Sequence, residues 1–169
     1  MKRTTILMLT AIFATNAALA AGSHSGGHDD GEGTMDHHEK MAVGEPGNKS
    51  MVNKRISLTM KETDDGEMVF QPSSISVDEG QTVQFIIRNK GELVHEFVLD
   101  NHDGVMEHKA VMEKFPEMEH DDPNSIRLEP GKRGEVIWKF SNAGEFEFAC
   151  LIPGHYDSGM KGDLKVSAK

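Results

Sequence analysis

From about Lys54 onward apolar and polar residues alternate with a period of two, the pattern of strands buried on one face. "RISLTM" and "EMVF" flank the turn "TDDG" and predict a hairpin, and "SSISV" runs into the turn "DEG". "TVQFIIRN" sets Val83, Phe85 and Ile87 against Gln84, Ile86 and Arg88, while "VHEFVLD" puts His95, Phe97 and Leu99 on one face. "SIRLEP" ends in the turn "PGKRG". "EVIWKF" turns Val136, Trp138 and Phe140 inward, "EFEFAC" aligns Phe146, Phe148 and Cys150, and "GDLKV" is the last strand. Seven or eight short strands punctuated by Gly, Pro and Asp predict an all-β fold, an antiparallel sandwich or Greek-key barrel. One segment breaks the alternation. "GVMEHKAVMEKF", residues 104–115, consists of good helix formers and predicts a short helix in a long crossover, ending before Pro116.

The first twenty residues follow a different logic. Lys2 and Arg3 precede the uncharged run "TTILMLTAIFATNAAL", and Ala18-Leu19-Ala20 is a small-x-small cleavage site, so residues 1–20 read as a secretory signal. Cleavage falls after Ala20 or after Ala21. No other apolar run approaches membrane-spanning length, so the expected mature chain is soluble, without membrane insertion, and exported to a bacterial periplasm. Residues 21–52 are rich in Gly, Asp, Glu and Ser and hold His24, His28, His37, His38, Met35 and Met41; they predict a disordered, metal-seeking tail with weakly bound additional copper. If the signal is cut after Ala21, His24 becomes the third residue, where amine, amides and imidazole can surround Cu(II) in a square plane. Residues 53–169 remain as one domain.

Charge narrows the partners. The whole chain carries 18 Lys and Arg against 28 Asp and Glu, a net charge of -10, and losing Lys2 and Arg3 makes it -12. That surface excludes nucleic acid and anionic membranes and suits metal cations or a basic protein, such as a cytochrome. The expected state is a monomer.

Cys150 is the only cysteine, in a chain expected to meet an oxidising compartment. A lone exported cysteine is a buried inert thiol, an intermolecular bridge, a nucleophile or a metal ligand. Its context favours the last. Cys150 ends an inward-facing strand at the sheet's rim. Pro153-Gly154 then turns the chain so that His155 can return toward the sulfur, and Gly159 permits a bend that brings Met160 to the same point. His95 occupies an inward position on a distant strand. Two imidazoles, a thiolate and a thioether form a soft donor set that suits copper, whereas zinc prefers a stronger fourth ligand. A cysteine hydrolase needs a base that a third group orients, and His155 has no evident partner for that role.

The spacing C-x4-H-x4-M in "CLIPGHYDSGM", the "MKG" that overlaps its end and the upstream "HEFVLD" resemble the cupredoxins, with a rusticyanin-like ligand loop. The longer run from "MEKFPEMEHDDPNSIRLEP" to "GMKG" is similar to the periplasmic copper-tolerance cupredoxins of the CopI type, which also join a His- and Met-bearing tail to a cupredoxin domain. The resemblance covers roughly residues 54–169. It implies one type 1 copper held by His95, Cys150, His155 and Met160. Many cupredoxins carry Asn or Ser directly after the first histidine, where it helps to fix the cysteine loop; here that residue is Glu96.

A second cluster, His102, Met106, His108, Met112, Met118 and His120, lies in the crossover. His108 and Met112 stand at i and i+4 and could clamp a second copper, but methionine at helical spacing more often packs a core. Three functions compete. Four tail histidines favour copper handling and tolerance over a dedicated electron carrier, which would dock through Ile152, Pro153 and Tyr156 with His155 as the exit. A copper enzyme is not expected: there is no His-x-His pair for a multicopper cluster, and one cysteine is too few for a dinuclear oxidase centre.

Overall fold

A computed structural model of the chain describes residues 41–116, 118 and 122–169. The expected signal segment, Met35, the four tail histidines and His120 lie outside the described residues. Alternation becomes strands throughout. They are β1 (Glu45–Pro46), β2 (Lys54–Glu62), β3 (Met68–Gln71), β4 (Ser74–Asp78), β5 (Thr82–Asn89), β6 (His95–Asp100), β7 (Ser125–Leu128), β8 (Arg133–Lys139), β9 (Gly144–Ala149) and β10 (Lys161–Ser167). They form two five-stranded sheets, in the orders β1-β8-β5-β2-β3 and β4-β10-β9-β6-β7.

The inward positions of both sheets meet in one core. Val83, Phe85 and Ile87 of β5, Phe97 and Leu99 of β6, Val136 and Trp138 of β8, and Phe146 and Phe148 of β9 are buried there. Phe70 stands edge-on to Phe97 and Phe148, with centroids 6.2 and 5.2 Å away, an arrangement that adds quadrupolar attraction to area burial. Of the two expected forms, an antiparallel sandwich or a Greek-key barrel, the first needs correction at two strand pairs. β2 pairs parallel with β5, and β4 parallel with β10. Alternation fixes which face of a strand is buried but carries nothing about its neighbour's direction.

The helix α1 (His102–Lys114) joins β6 to β7. It starts two residues before the predicted point because Asn101 caps it, its side-chain oxygen accepting from the Gly104 N–H at 2.8 Å. Val105 and Met112 pack onto Val98, Ala149 and Leu151, a second apolar cluster that Met106 and Tyr156 border. Met112 is thus buried at 1 % exposure and packs this cluster, the role that methionine at helical spacing more often has.

The domain also begins earlier than residue 53. Val43 is completely buried, its carbonyl accepts from the Trp138 indole N–H at 3.2 Å, and β1 adds an antiparallel strand to β8. Gly44 makes this possible: at φ +131 it adopts backbone that side chains disfavour, and a Cβ there would strike the Lys139 carbonyl. The predicted tail thus contains a staple, residues 41–51, that belongs to the fold.

Registers fix where everything lies along the sandwich. Thr82 of β5 faces Lys139 at one end, where β1 attaches, and Arg88 faces Arg133 toward the other. Asn89 reaches the carbonyls of Leu93 and Leu128 at that second end, and Leu128 pairs with His95. The staple and the His95 end of the core are separated by about 20 Å of strand.

Candidate metal centre

Four segments converge at the His95 end: the first residue of β6, the last turn of β2, the loop 89–94 and the loop 150–160. His95 and Cys150 are completely buried, and His155 is 9 % exposed. Their ligating atoms all lie within 4.8 Å of one another. The Nδ1 atoms of His95 and His155 are 3.2 Å apart, and His155 Nδ1 is 3.3 Å from Cys150 Sγ. Among the described residues this is the only cluster of three or more His, Cys, Asp or Glu able to share an ion.

Backbone bonds hold the loop 150–160 closed. The Cys150 N–H donates to the Met160 carbonyl and the Met160 N–H to the His155 carbonyl, both at 3.0 Å. Gly154 and Gly159 make the two bends at φ +88 and +95, as the sequence predicted for them. Met160 is completely buried within the main core beside Cys150. The structure thus gathers His95, Cys150 and His155 at one point and returns Met160 to the same loop neck.

At Glu96 it is the backbone that reaches the cysteine. The Glu96 N–H itself donates to Cys150 Sγ at 3.3 Å, a bond that does not depend on the side chain. Burial pushes the Cys150 thiol up to about 12, and the Glu96 charge adds to the rise, while the N–H groups of Glu96 and Ile152 and the charge of Arg127 favour the thiolate. Burial lowers both histidines; at His95 a bond and the charge from Glu62 oppose it, and at His155 the proximity of His95 deepens it. Two neutral imidazoles therefore point nitrogens at a thiol sulfur. Donor atoms within 4.8 Å of one another, with both His155 separations at 3.2–3.3 Å, fit one ion with bonds of about 2 Å, and a metal entering there displaces the thiol proton.

The comparisons agree with this chemistry. Residues 57–167 match the copper binding proteins of the plastocyanin/azurin family. The chain belongs to that family. This cupredoxin is 38 % identical over 167 residues to the copper-resistant cuproprotein CopI of Rubrivivax gelatinosus, covering 97 % of this chain and 96 % of that one. It is 34 % identical to the CopI of Pseudomonas aeruginosa over 74 % of this chain and 82 % of the relative. Among solved structures, reduced auracyanin from Roseiflexus castenholzii superposes with a TM-score of 0.57 at 20 % identity, over 69 % of this chain and 98 % of auracyanin, a likeness of fold. The metal of this cupredoxin is copper.

Two residues escaped the sequence reading. Glu62, at the end of β2, accepts from the backbone N–H groups of Glu92 at 2.9 Å and Leu93 at 3.1 Å, and its Oε1 lies 2.9 Å from His95 Nε2. Leu93, 45 % exposed, lies in the loop leading to His95. Tyr156, expected on an apolar rim, instead turns toward α1, its hydroxyl 3.4 Å from Glu147, which also accepts from His102 Nδ1 at 2.8 Å. Among the described residues no helix is long and apolar enough to cross a membrane.

Proposed function

We propose that this cupredoxin is an exported, non-enzymatic copper-handling protein serving copper tolerance, with one redox-active type 1 copper held by His95, Cys150, His155 and Met160. The observation that carries this reading is the convergence of three buried donor atoms, two imidazole nitrogens and one sulfur, within 4.8 Å. Bound copper supplies one-electron chemistry. The protein's part is to hold still: the loop bonds, the Glu96 N–H and the core packing of Met160 fix the donors, so little must rearrange between oxidation states. The near-identical length of the Rubrivivax copper-resistance relative supports tolerance over electron carriage alone, as do the four tail histidines.

A periplasmic electron carrier is the second reading, favoured by one feature. His155 is the only imidazole of the three donors with an exposed edge, and Leu93, Ile152 and Pro153 provide apolar surface on the loops that carry the histidines. Metal analysis with optical and spin-resonance spectra of the purified mature protein tests the site: one copper with intense visible absorption is expected. A host lacking the gene tests the role. Restored copper tolerance supports copper handling, and a respiratory defect with unchanged tolerance supports the carrier.

A further inference from the structure

The loop 89–94 is built around a carboxylate. Asn89 Nδ2 donates to the carbonyls of Leu93 and Leu128, and its Oδ1 accepts from the Gly91 N–H. Glu62 then fills the inside of the loop. Its Oε2 takes the Glu92 N–H, and its Oε1 takes the Leu93 N–H and faces His95 Nε2. Gly91 leaves the room, since a Cβ there would meet the Glu62 carboxylate. Two backbone N–H groups thus already donate to this carboxylate, one to each oxygen. An ionised carboxylate only accepts hydrogen bonds, so the His95 proton sits on Nε2 and the Nδ1 lone pair is presented toward His155 and Cys150.

We infer that Glu62 is a positioning residue that sets the oxidation-state preference of the copper through His95, a role that rests on His95 being a ligand. Two effects act together. The carboxylate locks the tautomer and ring angle of His95, and by drawing on the Nε2 proton it makes Nδ1 a stronger donor. A fixed negative charge at the far side of the ligand also favours Cu(II) over Cu(I), because the more highly charged ion gains more from it. Glu62 therefore holds the reduction potential down.

The decisive variant is Glu62→Gln, which keeps the shape and one acceptor oxygen but removes the charge. Its Cu(II) affinity is expected to fall by about 10- to 100-fold, the usual cost of losing a partner behind a ligand. With Cu(I) affinity less affected, the potential rises by about 59 mV for each tenfold change in the ratio. Intense visible absorption should persist, with altered copper hyperfine splitting. If Glu62→Gln has the parent potential and spectrum, Glu62 only tethers the loop and the inference fails, while the ligand set stands. If His95→Ala keeps the parent spectrum, the ligand assignment fails and the inference with it. Nitrogen-15 spectra of the metal-free parent protein provide a check that needs no variant. They should show His95 as the Nε2–H tautomer with a slowly exchanging proton, and an Nδ1–H tautomer would overturn the proposal.

Discussion

At the copper end, His95, Glu96, Asn89, Cys150 and His155 are buried together, with Glu62 part-buried behind His95. At the stapled end, Val43 and Trp138 bury apolar surface and the polar contacts are peripheral, such as the Asn142 side chain donating to the Ala42 carbonyl and Lys139 pairing with Glu45. A buried thiol and two buried imidazoles are an expense to a fold; Val43 and Trp138 are a gain. The difference separates the donor cluster from the apolar staple along one sandwich, and predicts that the core between them forms without the ion.

The sharpest way to break this comparison is to damage each end in turn. Cys150→Ala should abolish intense visible absorption, which arises from thiolate-to-copper charge transfer, while leaving cooperative thermal unfolding intact. Trp138→Ala should cost about 3–5 kcal/mol of stability and, in whatever fraction folds, leave the absorption spectrum unchanged. Calorimetry and absorption on both variants decide. A coloured alanine variant would refute the site, and loss of cooperative unfolding in Cys150→Ala would refute the separation.

Truncation probes the stapled end more gently. Deleting residues 21–40 should preserve the melting temperature and the spectrum while lowering both the copper bound per chain and the copper tolerance of the host. Deleting 21–51 removes Val43 and β1 as well, and should cost a further 2 kcal/mol or so, about the worth of one buried aliphatic side chain. If the shorter deletion binds as much copper and protects as well, the segment before the staple is only a linker and the electron-carrier reading gains.

At the copper end, Met160→Leu should keep the colour and raise the potential, because losing a weak thioether donor disfavours Cu(II). Apolar packing is retained by the near-isosteric leucine, so the melting temperature should barely move. A fall in potential on voltammetry would show that Met160 is not a donor.

How much of this was legible depended on whether local pattern carries the information. Cys150 and His155 sit on one short loop whose glycines and proline dictate its bends, and His95 lies in phase with Phe97 and Leu99, so spacing and period reach the three residues whose donor atoms the structure gathers. Glu62 could not be found that way. It precedes the turn "TDDG" among other acidic residues and reads as a solvated strand end, because its partners are backbone N–H groups some 30 positions away. The staple was missed for another reason: its apolar grip is only Val43 with Met41 packed against the core, helped by a glycine at positive φ and backbone bonds, in a stretch too polar to register as an element. Parallel pairing of β2 with β5 and of β4 with β10 is likewise a property of two distant strands and leaves no mark on either.

The smallest predicted effect concerns Asp100, a half-buried charge outside the metal centre. It ends β6 beside Glu147 of β9, away from His95, and its Oδ1 accepts from the Asn101 N–H at 2.7 Å just before α1. Burial raises its carboxyl, and the Asn101 N–H pulls it only partly back. With the folded value above the unfolded one, the native state holds this proton more tightly than the unfolded chain does. The ionised group therefore costs stability above the folded value, and that cost is relieved as pH falls through the folded value toward the unfolded one. Asp100→Asn keeps an oxygen for the Asn101 N–H and removes the charge. It should raise the melting temperature slightly at pH 7, with parent and variant converging in acid, and leave the copper spectrum unchanged. A variant less stable than the parent at pH 7 would mean that the carboxylate's attraction to the N-terminus of α1 outweighs its burial. Buried charge would then be serving the fold as well as the metal, and the contrast between the two ends would lose its force.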